Sequence, residues 1–405
     1  MNDNTVNVIG LGYIGLPTAA IMALNNITTY GIDINKKIVS SINEGKVHIY
    51  EPGLSEIVSE CVSKGYLVGK DKPQIADVHI ICVPTPFKKK NKQKEPDLSF
   101  VFNAINSLLD VLKCGDLIIL ESTSPIGTTD RISELLQNSG FSVGDIDVAY
   151  CPERVLPGKI IQELKENNRI IGGVNLKSTT RAMNFYGKFV SGKIYTTNSK
   201  TAEMCKLAEN SYRDVNIAFA NELSMLCNKN NVDVWELIRL ANQHPRVNIL
   251  QPGPGVGGHC IAVDPWFLVY ENELEAKIIR TARDVNDNKP LWVLNQVEKI
   301  SINFEKIHNK TPVIACLGLA FKADIDDTRE SPALEIAKKI YQKYQNVLAV
   351  DPYIMKVKGL KLCDLEYAMK HADIIVMLVN HKHFYNIGFN DQERKKIVLN
   401  FCGPI

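Results

Sequence analysis

Residues 6–15 of the chain read VNVIGLGYIG, and this stretch decides the fold of the N-terminal part. Its first four residues predict a short buried strand, and its glycines form a GxGxxG pattern that opens a helical pattern. In such a strand–turn–helix unit Gly10 permits the tight turn, Gly12 lets a phosphate approach the backbone, and Gly15 lets helix and strand pack closely. The stretch therefore indicates a dinucleotide site at a helix N-terminus.

A second strand is predicted over residues 28–33, and it ends in an acid, Asp33. A carboxylate at this place accepts hydrogen bonds from the adenosine ribose hydroxyls and repels a 2′-phosphate. NAD rather than NADP is therefore the expected cofactor. Tyr13 and Ile14 lie inside the glycine turn and are expected to contact NAD as well.

Strands and helices alternate at both ends of the chain. Apolar runs at residues 78–83, 117–120 and 147–150 are bounded by turn residues, which is typical of a parallel sheet covered on both faces. In the C-terminal part the predicted strands are residues 313–317, 347–351, 374–378 and 397–399. Ser331 and Pro332 predict a helix start there, with the serine as N-cap.

The middle of the chain has a helical pattern instead. From Ser199 to about Asn228 apolar residues recur every three or four positions, which predicts one long helix, and residues 195–300 are expected to be helical throughout. The expected fold class is α/β, with two Rossmann-like doubly wound domains joined by a central helical domain. The expected domains are residues 1–195, which bind NAD, 196–302, which are helical and form a dimer, and 303–405, which are Rossmann-like.

Composition argues against several classes of partner. The chain has 405 residues and a formal net charge of +2, so no global field favours nucleic acid. Its first apolar stretch, residues 6–23, is broken by three glycines and a proline, which suits neither a membrane span nor a secretion signal.

Ten cysteines without a CxxC pair indicate reduced thiols in the cytoplasm. The basic run at residues 88–94 is interpreted as a solvated loop, and no metal is expected.

Residues 251–265 read QPGPGVGGHCIAVDP and form the second informative stretch. Four glycines within six residues make a backbone that a ligand can approach closely. If a helical turn begins at Cys260, Asp264 lies on the same face, and the positive helix end lowers the pKa of the thiol. A thiol nucleophile combined with NAD indicates oxidation of an aldehyde through a hemithioacetal and a thioester. The other nine cysteines are interpreted as small apolar residues.

Taken together, the motifs resemble the UDP-glucose/GDP-mannose dehydrogenase family over essentially the whole chain. The matching stretches, in order, are residues 10–15, 82–86, 121–128, 151–154, 202–210, 255–264 and 321–331. The resemblance implies that residues 303–405 bind a UDP-sugar, which is oxidised at C6 in two steps, each of which reduces one NAD. It also implies a homodimer in which Arg246 is offered to the substrate of the neighbouring subunit.

The resemblance further implies catalytic roles for individual residues. Cys260 matches the thioester nucleophile, and Asp264 matches the acid that handles protons. Lys206 and Asn210 match the pair around the reacting C6 oxygen, and their spacing of four places them on one helical face. An ammonium near C6 would stabilise alkoxide character and favour the thiolate.

Water activation and ligand binding are implied for a second set of residues. Glu153 and Thr123 match the pair that positions water for thioester hydrolysis. The implied substrate contacts are Glu153, Arg154, Val155, Lys206, Asn210, Arg246, Gly257 and Lys322. The implied cofactor contacts, besides the glycine turn and Asp33, are Pro84, Thr85, Thr123 and Arg329.

Two stretches narrow the choice of sugar. Residues 151–158 and 256–267 are most similar to the members of the family that act on UDP-N-acetyl-D-mannosamine, and Pro157 stands where the enzymes for UDP-glucose tend to carry an acid. The resemblance therefore implies oxidation to UDP-N-acetyl-D-mannosaminuronate for surface polysaccharide. UDP-N-acetylglucosamine and UDP-glucose are the alternative substrates.

Two other classes of protein share part of the pattern. A 3-hydroxyacid or 6-phosphogluconate type dehydrogenase also begins with a Rossmann domain followed by helices, but it reduces one NAD(P) per turnover and needs no cysteine. A fully active Cys260→Ala variant would support that class. The second class is a nucleotide-sensing scaffold without enzyme activity, and the set of Lys206, Cys260 and Asp264 argues against it.

Overall fold

The computed structural model describes residues 4–88, 94–258, 260–344, 346–385 and 396–403. Most of the basic run at residues 88–94, interpreted above as a loop, lies outside the described residues. The chain divides into two compact units, Met1–Ala208 (unit 1) and Glu209–Ile405 (unit 2). The boundary between the units falls inside one long helix, Ser199–Asn230.

The described residues of unit 1 form an eight-stranded sheet. Its order is β3-β2-β1-β4-β5-β6-β7-β8, and neighbouring strands are parallel except for β6 and β7. The strands are β1 (Thr5–Ile9), β2 (Thr28–Ile32), β3 (Leu67–Lys70), β4 (Val78–Ile81), β5 (Leu117–Leu120), β6 (Asp147–Tyr150), β7 (Arg169–Gly173) and β8 (Ile194–Asn198). The helices are α1 (Gly15–Leu24), α2 (Lys36–Asn43), α3 (Leu54–Ser63), α4 (Ser99–Leu108), α5 (Thr128–Asn138), α6 (Ile160–Glu166), α7 (Leu176–Tyr186) and the start of α8 (Ser199–Asn230).

The core of unit 1 lies on both faces of this sheet, because successive side chains of a strand point to opposite sides. In β1, Val8 packs with the cluster that includes α1, whereas Ile9 packs with the cluster that includes α4 and α5. In β4, Ile80 and Ile81 divide in the same way. The strand order reverses between β1 and β4, and ligands of such sheets bind at the carboxyl ends of the strands beside the reversal.

The sequence patterns do not predict strands β3, β7 and β8. Strand β7 contains Gly172 and Gly173, and glycine is rare in strands. A side chain at Gly172 would meet Asn198 O at 2.1 Å, so the pairing with β8 requires glycine there. Strand β8 also corrects the expectation that residues 195–300 are helical throughout, because its pairing with β7 prevails over the local pattern.

Unit 2 contains the remainder of α8, further helices and, within its described residues, a four-stranded parallel sheet of order β10-β9-β11-β12. The strands are β9 (Ile314–Leu317), β10 (Val347–Val350), β11 (Ile374–Met377) and β12 (Ile397–Asn400). The helices are α9 (Val234–Ala241), α10 (Asp264–Glu271), α11 (Lys277–His308), α12 (Pro332–Tyr344) and α13 (Leu365–His371). The described residues between α9 and α10 are not helical, which corrects the same expectation again.

The predicted α/β fold class, with two Rossmann-like doubly wound parts and one long helix, is confirmed. Helix α8 has 32 residues and covers the predicted range. The predicted N-cap is also confirmed, since Ser331 Oγ accepts a hydrogen bond from Leu334 N (3.2 Å). The limits of the three expected domains stay a prediction. Within the described part of the chain, no helix combines the length and apolar character that a membrane span needs.

Candidate active site

The glycine turn between β1 and α1 has the geometry of a phosphate-binding turn. Gly10 has a φ of 91°, and a side chain there would meet Cys82 O at 2.7 Å. A side chain at Gly15 would meet Gly10 O at 1.8 Å, so the packing of the protein itself requires both glycines. At Gly12, by contrast, no atom of the described residues lies within 4 Å of an added Cβ. This open space lies at the N-terminus of α1, where backbone N–H groups favour an anion.

Asp33 is fixed at the end of β2 and keeps acceptor capacity. Its Oδ2 accepts a hydrogen bond from Leu11 N (3.0 Å), and its Oδ1 accepts one from Asn35 N (2.8 Å). A carboxylate has about four lone-pair positions, so these two bonds leave room for ribose hydroxyls. Asp33 and the open space beside Gly12 together fit the adenosine diphosphate part of NAD.

The loops that follow β4 and β5 are tied together at the same edge of the sheet. Thr85 Oγ1 donates a hydrogen bond to Thr123 O (2.8 Å), and Ser122 Oγ donates one to Val83 O (2.7 Å). The structure thus brings Thr85 and Thr123 together. Pro84 directly precedes Thr85 in the loop after β4 and is exposed.

A buried carboxylate that the sequence analysis missed joins helix α8 to the Thr123 loop. Glu203 accepts hydrogen bonds from Gly127 N (2.5 Å), Thr129 N (2.8 Å) and Thr129 Oγ1 (2.6 Å), and so it caps the N-terminus of α5. Burial raises the pKa of Glu203, which the hydrogen bonds from Thr129 partly offset. Glu203 therefore fixes the N-terminal part of α8, which also carries Lys206.

Lys206 and Glu153 meet within unit 1. Lys206 Nζ donates a hydrogen bond to the backbone oxygen of Glu153 (2.7 Å). The side chain of Glu153 is buried, and its Oε1 has no hydrogen-bond partner among the described residues. Burial raises the pKa of Glu153, whereas the cations of Lys206 and Arg169 lower it. A buried carboxylate with an unused oxygen can hold a water molecule or a proton.

Arg169 and Glu121 form a buried ion pair that the sequence analysis did not predict. Arg169 Nη1 lies 3.8 Å from Glu121 Oε1, which also accepts a hydrogen bond from Tyr186 Oη (2.6 Å). Cys82 Sγ donates to Glu121 Oε2 (3.2 Å). Burial raises the pKa of the Cys82 thiol well above its usual value and that of Cys151 to about 11, so both stay protonated and unreactive.

The loop after β6 is held by two further carboxylates. Glu51 accepts hydrogen bonds from Gly158 N (2.8 Å) and Ile160 N (2.7 Å), and Glu163 accepts one from Leu156 N (2.8 Å). Arg154 Nη1 donates to Asn168 O (3.1 Å), and Val155 packs against the cluster of Ile21, Ile160 and Leu164. Both predicted substrate contacts thus lie in a fixed loop.

In unit 2 the cysteine lies one helical turn before α10. Asp264 N donates a hydrogen bond to Cys260 O (2.8 Å), which closes a helical turn. Cys260 is exposed, whereas Asp264 is buried. The buried Asn210 donates a hydrogen bond from Nδ2 to Asp264 Oδ2 (2.5 Å). The structure therefore brings together Asn210 and Asp264 beside the turn that presents Cys260.

Contacts within the protein require two of the glycines before Cys260. A side chain at Gly257 would meet Glu330 O at 2.5 Å, and one at Gly258 would meet the ring of Phe321 at 3.1 Å. Both glycines therefore make room for other residues of unit 2, and the expected approach of a ligand stays a prediction. Gly253 N also donates to Asn221 Oδ1 (2.9 Å), which anchors the loop on α8.

Three predicted contacts of unit 2 lie at its surface. Arg246 is exposed in the loop after α9, and Lys322 is exposed after the turn that follows β9. Arg329 Nε donates to Asp327 Oδ1 (2.9 Å), so a ligand contact by Arg329 would share its guanidinium with Asp327.

The dinucleotide-binding turn of unit 1 is typical of NAD-dependent oxidoreductases, and the second Rossmann-like sheet offers another ligand site at the carboxyl ends of its strands. Family models match residues 4–190 as the NAD binding domain, 200–288 as the central domain and 315–402 as the UDP binding domain of one family. The chain belongs to the UDP-glucose/GDP-mannose dehydrogenase family.

Individual relatives match over nearly the whole chain. The UDP-N-acetyl-D-mannosamine dehydrogenase of Campylobacter jejuni is 53% identical, and the match covers 98% of this chain and 99% of the relative. The NDP-N-acetyl-D-galactosaminuronic acid dehydrogenase of Ralstonia nicotianae is 50% identical, with 98% and 96% covered. The solved structure of a UDP-D-ManNAc dehydrogenase from Pyrococcus horikoshii superimposes with a TM-score of 0.90 at 40% identity, with 98% and 95% covered.

Membership decides between the classes that the sequence left open. The protein is an NAD-dependent dehydrogenase of UDP-sugars, which confirms the predicted enzyme class, cofactor and substrate nucleotide. The hydroxyacid dehydrogenase class and the nucleotide-sensing scaffold are excluded. The roles of single residues stay a prediction.

Proposed function

We propose that this enzyme oxidises the C6 alcohol of UDP-N-acetyl-D-mannosamine to the carboxylate and reduces two NAD per sugar, which supplies UDP-N-acetyl-D-mannosaminuronate for surface polysaccharide. The names of the relatives support the sugar, since two refer to N-acetylmannosamine and one to another N-acetylated hexosamine. The observation that carries the reaction is the exposed Cys260 one turn before Asp264, to which Asn210 is hydrogen-bonded.

In the first oxidation the alcohol becomes an aldehyde. NAD, when bound, accepts a hydride in each of the two oxidations. We assign Lys206 and Asn210 to the C6 oxygen, where an ammonium and an amide stabilise negative charge as the hydroxyl loses its proton. Asp264 takes up this proton directly or through water, and the hydrogen bond from Asn210 orients its carboxylate.

In the second oxidation the thiol of Cys260 adds to the aldehyde carbon and forms a hemithioacetal, whose oxidation leaves a thioester. Glu153 and Thr123 then position water for attack on the thioester carbon. The C–S bond breaks, the carboxylate is released, and Cys260 regains its proton. The unpartnered Oε1 of Glu153 supports this role, because it can accept a proton from the water.

The remaining predicted residues bind the two nucleotides. The proposed cofactor contacts are Gly10, Gly12, Tyr13, Ile14, Gly15, Asp33, Pro84, Thr85, Thr123 and Arg329. The proposed substrate contacts, besides the catalytic residues, are Arg154, Val155, Gly257 and Lys322. The fixed loop that carries Arg154 and Val155 supports the assignment, because a rigid loop holds the sugar at constant geometry.

The proposed enzyme is a homodimer of the cytoplasm, in which Arg246 contributes to the site of the neighbouring subunit. Tyr212, Phe219 and Leu226 follow one another at intervals of seven on α8 and are 71%, 53% and 48% exposed. An exposed apolar stripe of this kind on a long helix favours a partner helix. A reducing compartment suits an exposed Cys260 that must remain a thiol.

The test is the NADH yield per sugar at completion, measured with UDP-N-acetylmannosamine, UDP-N-acetylglucosamine and UDP-glucose in parallel. We expect two NADH per sugar from the first and little from the others. A yield of two NADH per molecule of another sugar would overturn the assignment of the substrate. A yield of one or none with every sugar would overturn the thioester mechanism. Cys260→Ser is expected to abolish carboxylate formation, whereas the matched variant of another exposed cysteine, Cys114→Ser, keeps it.

A further inference from the structure

The C-terminal sheet repeats the geometry of the NAD-binding turn. Gly318 has a φ of 87° and donates from N to Val350 O (2.8 Å), just as Gly10 has a φ of 91° and donates to Ile32 O (2.8 Å). Leu319 N donates to Asp351 Oδ2 (2.7 Å), as Leu11 N donates to Asp33 Oδ2 (3.0 Å). Asp351 is therefore the counterpart of the carboxylate that faces the ribose of NAD in unit 1.

Unlike Asp33, Asp351 has no acceptor capacity left. Its Oδ2 accepts from Leu319 N (2.7 Å), Ala320 N (3.2 Å) and His381 Nε2 (3.2 Å). Its Oδ1 accepts from Tyr353 N (2.9 Å) and Ile354 N (3.2 Å). These five donors exceed the roughly four lone-pair positions of a carboxylate. Four of them are backbone N–H groups and the fifth is the imidazole of His381, and together they leave no position for a ribose hydroxyl.

The other nitrogen of His381 holds the loop that carries Lys322. Asp324 N donates to His381 Nδ1 (3.0 Å). Since a backbone N–H can only donate, Nδ1 carries the lone pair and the proton sits on Nε2, which faces Asp351. The imidazole is completely buried, so both hydrogen bonds are shielded from water.

Asp324 needs this support because its backbone is strained. It has a φ of 60°, a left-handed conformation that costs an aspartate about 1 kcal/mol or more. Its side chain is held as well, since Oδ1 accepts from Lys382 N (3.0 Å) and from Tyr353 Oη (3.3 Å). Lys322 lies two residues before this point in the same turn, so the conformation of Asp324 constrains the backbone that carries Lys322.

We propose that His381 is a positioning residue for the substrate nucleotide: it completes the set of donors that fills Asp351 and closes the turn to a cofactor-type ribose, and it holds Asp324 so that Lys322 meets the UDP moiety. The inference rests on the proposed role of Lys322. His381 touches neither substrate nor cofactor in this account, so its loss affects affinity for UDP rather than the chemical steps.

Three substitutions of His381 separate its two nitrogens. Asparagine places an oxygen near Nδ1 and can accept from Asp324 N, glutamine places an amide near Nε2 and can donate to Asp351, and alanine does neither. We expect His381→Ala and His381→Gln to raise the Kd for UDP and the KM for the UDP-sugar about tenfold, because the loss of one buried hydrogen bond corresponds to such a change. His381→Asn is expected to restore most of the affinity.

We expect kcat and the KM for NAD of the three variants to stay within about twofold of the wild-type values, since NAD binds unit 1. His371→Ala, which removes an exposed histidine of the same unit, is the matched control. Unchanged UDP affinity in His381→Ala, equal affinity of the asparagine and glutamine variants, or a parallel rise in the KM for NAD would each overturn the inference. Calorimetric UDP binding needs no turnover, so a wild type that binds UDP but oxidises no UDP-sugar would overturn the proposed function alone.

Discussion

Glu153 combines two requirements that oppose each other, because a base must be ionised and a buried carboxylate resists ionisation. Burial raises its pKa, and the neighbouring cations of Lys206 and Arg169 lower it, with burial prevailing. If Glu153 activates the hydrolytic water, it acts only above this raised pKa. Thioester hydrolysis is therefore expected to slow on acidification at a higher pH than an exposed glutamate would give.

Glu153→Gln keeps the shape of the side chain but removes the proton acceptor. We expect a rapid burst of NADH, as Cys260 becomes acylated, followed by turnover on the order of 100-fold slower than in the wild type. The fall of the hydrolysis rate at low pH, which we expect in the wild type, should be absent in the variant. Stopped-flow measurement of NADH at several pH values tests this, with Glu166→Gln at the exposed end of α6 as control. Steady turnover at the wild-type rate without a burst would contradict the assignment of Glu153.

Single residues were predictable where their signal is local. Gly10, Gly12, Gly15 and Asp33 lie within one strand–turn–helix–strand unit, and their geometry in the structure matches the expectation. Other functional carboxylates depend on distant parts of the chain. Glu203 binds Gly127 and Thr129, more than 70 residues earlier, and no local pattern marks such a pair.

Helix α8 carries the proposed catalytic residues Lys206 and Asn210, and its N-terminal part is attached through Glu203 to the start of α5. Glu203→Gln replaces one acceptor oxygen by an NH₂ group that faces a backbone N–H. The free energy of unfolding is expected to fall by about 1–3 kcal/mol, the cost of a buried unsatisfied donor. Denaturant unfolding measures the change. Glu222→Gln, at an exposed position of the same helix, should change stability by less than about 0.5 kcal/mol, and equal stability of both variants would disprove the capping role.

Strands and helices were predictable where the spacing of apolar residues in the sequence is clear. Strands β1, β4, β5 and β6 are buried apolar runs, and α8 repeats apolar residues at helical spacing, so all of them were expected. Strand β8 (IYTTN) lies at the sheet edge with three of its five residues exposed and none buried, so it lacks the buried apolar run that marks the central strands. Its identity as a strand depends on pairing with β7. Gly257 and Gly258 show the same limit, because the atoms that crowd them belong to Glu330 and Phe321, more than 60 residues later in the chain.

At the scale of the whole molecule, the proposed dimer requires that two copies share their active sites. The exposed stripe of Tyr212, Phe219 and Leu226 offers a surface for a second copy, and a two-fold dimer places the same stripe of each copy in contact. Phe219→Lys combined with Tyr212→Lys is then expected to yield monomers, because two like charges from each copy would be buried in the interface. Light scattering gives the mass in solution, and an unchanged dimer would refute this interface.

Sharing of sites can be tested more directly with two inactive variants. Arg246→Ala keeps Cys260, and Cys260→Ser keeps Arg246, so each homodimer is inactive if both residues are needed. After dissociation and reassembly of an equal mixture, the mixed dimers contain one site with Cys260 from one subunit and Arg246 from the other. If Arg246 acts across the interface, about a quarter of the wild-type activity should return, because about half of the dimers are mixed and one of their two sites is complete. If Arg246 acts within its own subunit, no site regains both residues and the mixture stays inactive, so recovered activity distinguishes a shared site from a dimer of independent ones.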